Sequence, residues 1–410
     1  MPTSWTSFGL RAMPPMSGRT RPAELSGLIG QLVDGITAAA AAPLVGISSD
    51  GQVRPGLFPL RSTGVPTAPI VDAAEAFLAT LDAGQQAKVT LGLDSPEQRS
   101  WFNIHPNVLR HGLMLEELAQ PQRDAALAVM AATLSARGFA QARDIMRLNG
   151  LLVEVTKRAD EFGEWPYWFS LFGRPSAEEP WGWQIDGHHL NVNAVVIGDQ
   201  LVLTPTFMGS EPCAVTTGPM AGTEVMVDEE RAGLLLMRSL DDAQAAKALL
   251  RPSILPGDLP PELNHPIDGR MVAGAFKDNA VIGYEGVRGD ALSDAQRRLL
   301  AALIGTYVGW QRDDHAGVKM AEVGAHLDET HFCWMGAVGD DGPFYYRVHS
   351  PVVLIEFDHH PGVVFDNLEP SRHHIHSIMR TPNGGDYGAD LLRQHHERFD
   401  HSDGHHTVRG

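Results

Sequence analysis

The chain has 410 residues, with 32 basic and 50 acidic side chains and a net charge of −18 when histidine is neutral. Hydrophobic residues make up 43% of it and charged residues 20%, which excludes a mainly disordered protein. The acidic balance disfavours nucleic acid as a partner, and no stretch reaches the ~18–20 uninterrupted apolar residues of a membrane span. Two cysteines make no disulfide framework, and no apolar segment follows the N-terminal arginines. We therefore expect a cytoplasmic protein whose partner is a small molecule. The composition does not indicate an oligomeric state.

The chain divides by composition into two short ends and one long body. Residues 1–23, rich in proline and serine, predict a flexible arm, and residues 400–410 a flexible histidine-rich tail. Residues 24–160 are mainly helical in pattern, and residues 161–399 are β-rich with helices. Because strands from the middle and C-terminal thirds must meet, we predict a single large α+β domain over 24–399. In it, a helical N-terminal layer packs on a β-rich core.

The predicted elements follow from apolar periodicity. In chain order, we predict helices over 71–81, 121–138, 140–157, 239–250, 293–310 and 387–399, and strands over 189–197, 200–207, 330–338, 343–358 and 373–380. Gly198-Asp199 is a hairpin turn between the first two strands. Ser293 and Gln296 form a capping box, and Asp386 is the expected N-cap of the last helix.

The first candidate site lies on the strand after Gly187. Because side chains alternate along a strand, His189, Asn191 and Asn193 share one face of it. Three polar residues there indicate either the solvated face of an edge strand or the wall of a site. The neighbouring Trp183 favours a small-molecule pocket, with Asn191 and Asn193 as substrate-binding residues and His189 as a ligand or acid/base.

The second candidate site is the run from Arg372 to Arg380. On a strand, His374 and His376 point the same way, and two imidazoles at i and i+2 can bind one metal ion. A further ligand is needed, and His349, His331 or His189 are the candidates. For His349 and His331 taken singly, the alternative is a hydrogen-bonded core histidine.

Charged residues on the neighbouring strands complete this picture. Glu356 lies in an apolar run, where a carboxylate needs partners. We expect it to be a metal ligand, a partner that orients an imidazole, or a general base. Arg347 and Arg380 either pair with such carboxylates or hold the carboxylate of a substrate.

Histidine is unevenly distributed, since 14 of the 19 lie between His315 and His406. We expect those of the last helix and the tail to be solvated: His395, His396, His401, His405 and His406. His315, His326, His359 and His360 are also expected in solvated positions, at helix ends or turns. The excess therefore points to a site made by about five residues, namely His331, His349, His374 and His376 on strands, with His189 from upstream.

Several sequence blocks resemble one known family. They are Trp168–Gly173 with Glu179–Leu190, Gln122-Arg123 through Ile145-Met146, Thr330–Trp334, His374–Ser377 and Gly385–Leu392. Together they are similar to the family catalogued as domain of unknown function 3500. The resemblance implies that the Gly-His-His-Leu and His-Ile-His-Ser blocks belong to one domain architecture.

These patterns lead to a functional hypothesis that leaves the reaction open. We predict a metal-dependent enzyme that acts on a small polar or anionic molecule, most simply a hydrolase using a metal-bound water on Zn²⁺. Fe²⁺ or Cu²⁺ in the same ligands would instead indicate an oxygenase or oxidoreductase. A non-catalytic small-molecule binding protein would fit the same residues, as would a metal-free lyase or isomerase that uses His189 and Glu356.

Overall fold

The structure is a computed structural model that describes residues 8–12, 27–104, 108–265, 267–400 and 407–408. Most of the predicted arm and tail therefore lies outside the described residues. Of the arm, Leu10 pairs with Phe365 in an isolated β-bridge, and Arg11 N donates to Val364 O at 2.9 Å. These contacts tie residues 8–12 to the body of the protein.

The six predicted helices are present with shifted ends, and four further helices of the described residues were not predicted. Within the described residues the helices are α1 Gly27–Ala41, α2 Ala68–Ala79, α3 Ala83–Val89, α4 Gln120–Thr133, α5 Ala136–Thr156, α6 Val227–Ser239, α7 Asp242–Ala248, α8 Asp294–Val308, α9 Asp313–Ala325 and α10 Ala389–Arg398. The capping box of Ser293 and Gln296 at the start of α8 is confirmed. Among the described helices, none is long and apolar enough to cross a bilayer.

Three predicted helix boundaries were wrong for local reasons. Gly138 does not end α4 but lies inside α5, where a β-carbon would come 2.2 Å from Trp310 O. The predicted helix over 239–250 is the end of α6 and a separate α7, because Asp241 caps the second helix. Asp386 does not cap α10, since it accepts hydrogen bonds from Thr381 N and Arg380 Nε.

The strands form one large mixed sheet. They are β1 Thr90–Leu91, β2 Leu113–Met114, β3 Tyr167–Phe172, β4 Trp181–Gly187, β5 Leu190–Ile197, β6 Gln200–Val202, β7 Thr206–Ser210, β8 Leu249–Arg251, β9 Val287–Arg288, β10 His331–Gly336, β11 Phe344–His349, β12 Leu354–His360 and β13 Ser371–Arg380. The order is β1-β3-β4-β5-β7-β13-β12-β11-β10-β8, with β2, β6 and β9 on β3, β5 and β10. A separate pair joins β14 Phe399–Asp400 to β15 Thr407–Val408. The predicted α+β class is therefore confirmed, with the middle and C-terminal strands meeting where β7 pairs with β13.

One face of the sheet is apolar and packs against helices that include α2, α4, α5, α6 and α8. Trp183 donates from Nε1 to Thr133 Oγ1 of α4 at 3.0 Å, and Tyr346 lies 2.6 Å from Tyr307 of α8 between hydroxyl oxygens. Both strand residues belong to the main hydrophobic core, together with Met379 and residues of α2, α4, α5, α6 and α8. Burial of this face supplies most of the driving force for the fold.

The opposite face, which we call the polar face, is buried although it carries many polar side chains. It includes Gln184, Asp186, Asn191, Asn193, Arg347, Glu356, Asp358, His376 and Arg380, each at most 4% exposed. The segments 92–104, 108–112 and 264–286, with residue 266 outside the described residues, cover it. Phe102 N donates to Asp186 Oδ1, and Ala273 N donates to Glu356 Oε2. Buried polar groups persist only when they are paired, so this face is a hydrogen-bonded layer that positions the candidate site.

Candidate metal centre

Three buried histidines from two distant parts of the chain meet at one end of the polar face. His374 and His376 lie two residues apart on β13, and His189 lies in the turn between β4 and β5. Strand β7 brings them together, since it pairs with β5 through Leu190 and with β13 through His376. His189, His374 and His376 are 6%, 2% and 4% exposed. The sheet order thus juxtaposes residues that are 185 positions apart.

His189 has an unusual backbone conformation. Its φ is +62°, in the left-handed region, where a non-glycine residue costs about 1 kcal/mol or more. The turn is held on both sides, since His189 N donates to Asn103 O at 3.0 Å and His189 O accepts from Gly209 N at 2.9 Å. The conformation aims an imidazole at β13 from a position where glycine or asparagine is usual.

Gly209 allows this close approach. It lies opposite His376 on β7, and a β-carbon there would come 2.6 Å from Ile375 O and 3.2 Å from His376 Cδ2. Any larger residue would displace β13 or the His376 ring. The glycine is therefore part of the geometry that holds the histidines together.

The three imidazoles present their Nε2 atoms to one another. His374 Nε2 lies 3.2 Å from His189 Nε2 and 3.0 Å from His376 Nε2, and the three residues offer ligand atoms that all lie within 4.8 Å of one another. Nitrogen ligands at ~2.0–2.1 Å from one ion, at angles of roughly 90–110°, are about 2.8–3.4 Å apart. The two distances from His374 Nε2 match those between ligands of a single metal ion.

The tautomer of His374 strengthens this interpretation. Its Nδ1 donates to Pro361 O at 2.7 Å, which leaves Nε2 of the neutral ring as an unprotonated acceptor. A single lone pair then faces two other ring nitrogens. Meanwhile His376 Nδ1 is buried and has no hydrogen-bond partner among the described residues. A cation between the Nε2 atoms removes the conflict, because a backbone carbonyl on Nδ1 is the usual partner of a metal-bound histidine.

Glu211 supports His374 from behind. Its carboxylate accepts hydrogen bonds from the backbone N–H groups of Val363, Val364 and Phe365 at 2.9–3.2 Å, and one oxygen lies 3.7 Å from His374 Nδ1. These contacts hold the loop that begins with Pro361, whose carbonyl accepts from His374. Glu211 therefore fixes the orientation of His374 through the loop.

Two more histidines flank the three. The His360 ring centroid lies 3.9 Å from that of His376, and its Nε2 lies 2.9 Å from Asp358 Oδ2. The His188 ring stacks on His189 at 4.0 Å, and its Nδ1 lies 2.8 Å from Asn149 Oδ1. Both rings are buried and enclose the group on two sides.

The surroundings keep His376 and His360 neutral. Burial and the neighbouring histidines lower the pKa of His376 well below its ordinary value, and burial lowers the pKa of His360 to about 4. Burial alone would raise the pKa of Asp358, but the Arg270 guanidinium and His360 lower it to about 2. Neutral imidazoles bind a cation without first losing a proton.

His331 and His349 lie elsewhere on the polar face. They are cross-strand partners on β10 and β11, and both rings contact Tyr284, with centroids 4.8 and 4.6 Å apart. Through Leu354 of β12, His349 is in register with Arg380 of β13. Arg380 is four residues from His376, a distance of roughly 13 Å along the strand. His189, rather than His331 or His349, is therefore the residue beside the pair on β13.

Glu356 occupies a fully bonded position. It accepts hydrogen bonds from the Tyr345 hydroxyl at 2.6 Å and from the backbone N–H groups of Val272 and Ala273 at 2.8 and 2.7 Å. Burial raises its pKa. These bonds fasten the covering segment 264–286 to the sheet, so the structure gives Glu356 a structural role and separates it from the three histidines.

The two arginines are also committed to structural partners. Arg380 donates to Asp278 at 2.6 Å and to Asp386 at 2.7 Å, and its remaining amino group bonds two backbone carbonyls. Arg347 donates to Glu285 at 2.5 Å. Both guanidinium groups therefore pair with carboxylates, which is one of their two predicted roles, although their partners are Glu285, Asp278 and Asp386 and not Glu356.

The predicted substrate-binding residues of β4 and β5 divide between the two faces. Trp183 packs on the helices, where it stacks on Phe169 with centroids 5.6 Å apart. Asn191 and Asn193 lie on the polar face and are buried, not solvated. Asn191 donates to Asp186, and Asn193 Nδ2 donates to Pro205 O at 2.8 Å. The strand predicted over 189–197 begins at Leu190, and His189 lies in the turn before it, so His189 does not share their face.

Sequence reasoning placed several histidines wrongly in solvent. His315, His359, His360 and His395 are 0–4% exposed, because they face the interior from β12 and from two helices. His401, His405 and His406 lie outside the described residues. His188 and His360, which flank the site, were not predicted as part of it. Each belongs to a His-His pair, and such a pair is a signal from which they could have been found. Glu211 and Pro361 have no signal in the sequence.

Comparison with known proteins identifies the family of the chain. The model of a family described as "Protein of unknown function (DUF3500)" matches residues 63–389. Searches of curated proteins and of solved structures found no match. The matched range includes all three histidines of the candidate metal centre and most of the sheet, and it confirms the resemblance seen in the sequence. The chain is thus a member of the DUF3500 family.

Proposed function

We propose that the chain is a metal-dependent enzyme with a mononuclear site formed by His189, His374 and His376. The observation that carries the proposal is the convergence of three imidazoles, in which His374 Nδ1 donates to Pro361 O so that its Nε2 faces the other two rings. Three protein ligands leave room in the coordination sphere for water or substrate, as in catalytic zinc sites. Structural zinc sites usually have four protein ligands, and the described residues supply only three.

The charge of the site favours an anionic or polar substrate. Imidazole ligands are neutral, so a divalent cation keeps its full charge in a buried site of low dielectric. Such an ion lowers the pKa of a bound water towards neutrality, which is the chemistry of metal-assisted hydrolysis. The enclosed surroundings, with His188 and His360 against the ligands, favour a small substrate.

The ligand set ranks the metals. Among the described residues, the ligand group consists of three histidines and contains no carboxylate. Non-haem iron oxygenases instead use two histidines and one carboxylate. Zinc therefore ranks ahead of iron. Copper accepts the same nitrogen ligands, so an oxidoreductase is the second candidate.

Cobalt substitution tests whether the site has an open coordination position. Metal-free protein is loaded with Co²⁺, and its visible spectrum is followed during titration with azide. We expect a saturable spectral change in the wild type and no Co²⁺ spectrum in His374→Ala/His376→Ala. A Co²⁺ spectrum that azide does not alter would indicate a closed, structural site and would overturn the enzymatic proposal.

Turnover assays then separate the candidate reactions. Zinc-loaded protein is assayed with nitrophenyl esters of carboxylic and phosphoric acids, and iron- or copper-loaded protein with an oxygen electrode and ascorbate. Hydrolysis that is lost in the double variant supports the hydrolase. Oxygen consumption with the same dependence supports the second candidate. Azide binding without turnover in any metal form would indicate a non-catalytic binding protein.

A further inference from the structure

A cavity on the opposite side of the sheet from the three histidines has the properties of a second binding site. Its volume is about 390 Å³, within the usual size range of small-ligand sites. Met379 forms part of its wall and points to the helical face of β13, whereas His376 points to the polar face. The cavity is therefore separate from the candidate metal centre.

The cavity has an apolar body and a polar end. Phe58, Leu203 and Met379 are buried apolar residues of its wall. On α9, His315, Lys319 and Glu322 recur at i, i+4 and i+7, which places them on one face of the helix toward the cavity. A ligand in the cavity would meet hydrocarbon on one side and polar groups on the other.

The charged side chains that line the cavity are cationic on balance. Lys319 and the exposed Arg61 line the cavity against one acidic residue, Glu322, in a chain whose net charge is −18. Lys319 Nζ donates to Val352 O at 2.8 Å and also contacts Glu322, which holds the ammonium at the wall. A fixed ammonium beside an apolar wall attracts a monoanion with a hydrocarbon body.

His315 provides an independent indication of a ligand. It is 3% exposed and lines the cavity, and its Nε2 has no hydrogen-bond partner among the described residues. It lies in the first turn of α9. A buried imidazole nitrogen without a partner costs free energy unless something else bonds to it.

We infer that this cavity binds a small monocarboxylic acid, with the carboxylate at His315 and Lys319 and the hydrocarbon part against Phe58 and Met379. This site does not depend on the metal. The acid is therefore a second ligand of the chain.

Calorimetric titration with hexanoate and its neutral analogue hexanamide tests the inference. We expect saturable one-to-one binding of hexanoate to the full chain, and about tenfold weaker binding of hexanamide because the charge-assisted hydrogen bonds are lost. Hexanamide binding as tight as hexanoate, or no saturable binding of hexanoate, would overturn the inference.

Variants locate the binding. Lys319→Met is expected to weaken hexanoate binding about tenfold, and Lys247→Met, an exposed lysine on α7, is expected to change it less than about twofold. Arg61→Met, on an exposed segment, repeats the test if Lys319→Met fails to fold. His374→Ala/His376→Ala is expected to bind hexanoate like the wild type. Loss of binding in that variant, with retention in Lys319→Met and Arg61→Met, would place the carboxylate at the metal centre and refute the second site.

Discussion

Replacement of His349 by phenylalanine separates a core histidine from a metal ligand. His349 is 2% exposed, and neither of its ring nitrogens has a hydrogen-bond partner among the described residues. Its ring contacts Tyr284, and the charges of Arg347 and His331 face it. Phenylalanine keeps a flat ring against Tyr284 but cannot take up a proton.

The size of the effect follows from the pKa. Burial, together with Arg347 and His331, lowers the pKa of His349 from 6.5 to about 3. Between these two values the unfolded chain binds a proton that the folded chain does not, so the free energy of unfolding falls as the pH falls. From pH 7 to pH 5 this one group removes about 2 kcal/mol of stability, at ~1.4 kcal/mol per pH unit.

The assay is urea unfolding at several pH values between 7 and 5, with EDTA present so that metal release does not contribute. We expect the wild type to lose about 2 kcal/mol more than His349→Phe over this range. The control is His396→Gln, an exposed position on α10, whose pH dependence should match the wild type. The metal content of His349→Phe should also match the wild type. Equal pH dependence in His349→Phe and the wild type, or loss of metal from the variant, would refute this account of His349.

Three further substitutions test the parts around the histidines. In urea with EDTA, the free energy of unfolding of His189→Gly should be about 1 kcal/mol higher than that of His189→Ala, because glycine adopts a positive φ without strain. Equal stabilities of the two variants would contradict the strain argument. Glu211→Ala should weaken zinc binding about 10- to 100-fold, because it releases the loop that orients His374. The measurement is a competition assay with a chromophoric chelator, and unchanged zinc affinity would contradict the orienting role of Glu211. Arg380→Met should lower the free energy of unfolding in urea by about 3–5 kcal/mol, because it leaves the buried carboxylates of Asp278 and Asp386 without their cation. A loss below about 1 kcal/mol would show that these carboxylates find other partners.

Local patterns in the sequence predicted the parts of the fold that depend on local forces. Helix α8 was found from its capping box and apolar stripe, and β13 from the alternation of its side chains. Element ends were less accurate, because they depend on packing, as at Gly138 against Trp310. The α+β class followed from the order of these elements along the chain.

The candidate site was predictable only in part. The pair His374 and His376 follows from strand geometry, but its third neighbour depends on the sheet order, which no local pattern encodes. His189 was expected on a strand because it extends the alternation of Asn191 and Asn193, whereas the structure holds it in a turn at positive φ. Glu211 reaches the site through a loop contact that has no sequence signal.

The burial of the polar face also could not be read from the sequence. Alternating polar residues such as Asn191 and Asn193 are typical of a solvated strand face. Here the segment 264–286 covers that face and pairs its charges, for example through Glu356 and the backbone of Val272. The long covering segments have little periodic pattern, and their position is set by these buried bonds.

Metal analysis of protein purified without an affinity tag tests the central claim most directly. We expect about one equivalent of a transition metal in the wild type, as isolated or after reconstitution with zinc, and none in His374→Ala/His376→Ala. His331→Ala/His349→Ala and a deletion of residues 400–410 should keep the metal, which excludes the other histidines as its source. Less than about 0.2 equivalents in the reconstituted wild type, or stoichiometric metal in His374→Ala/His376→Ala, would contradict a metal centre at His189, His374 and His376.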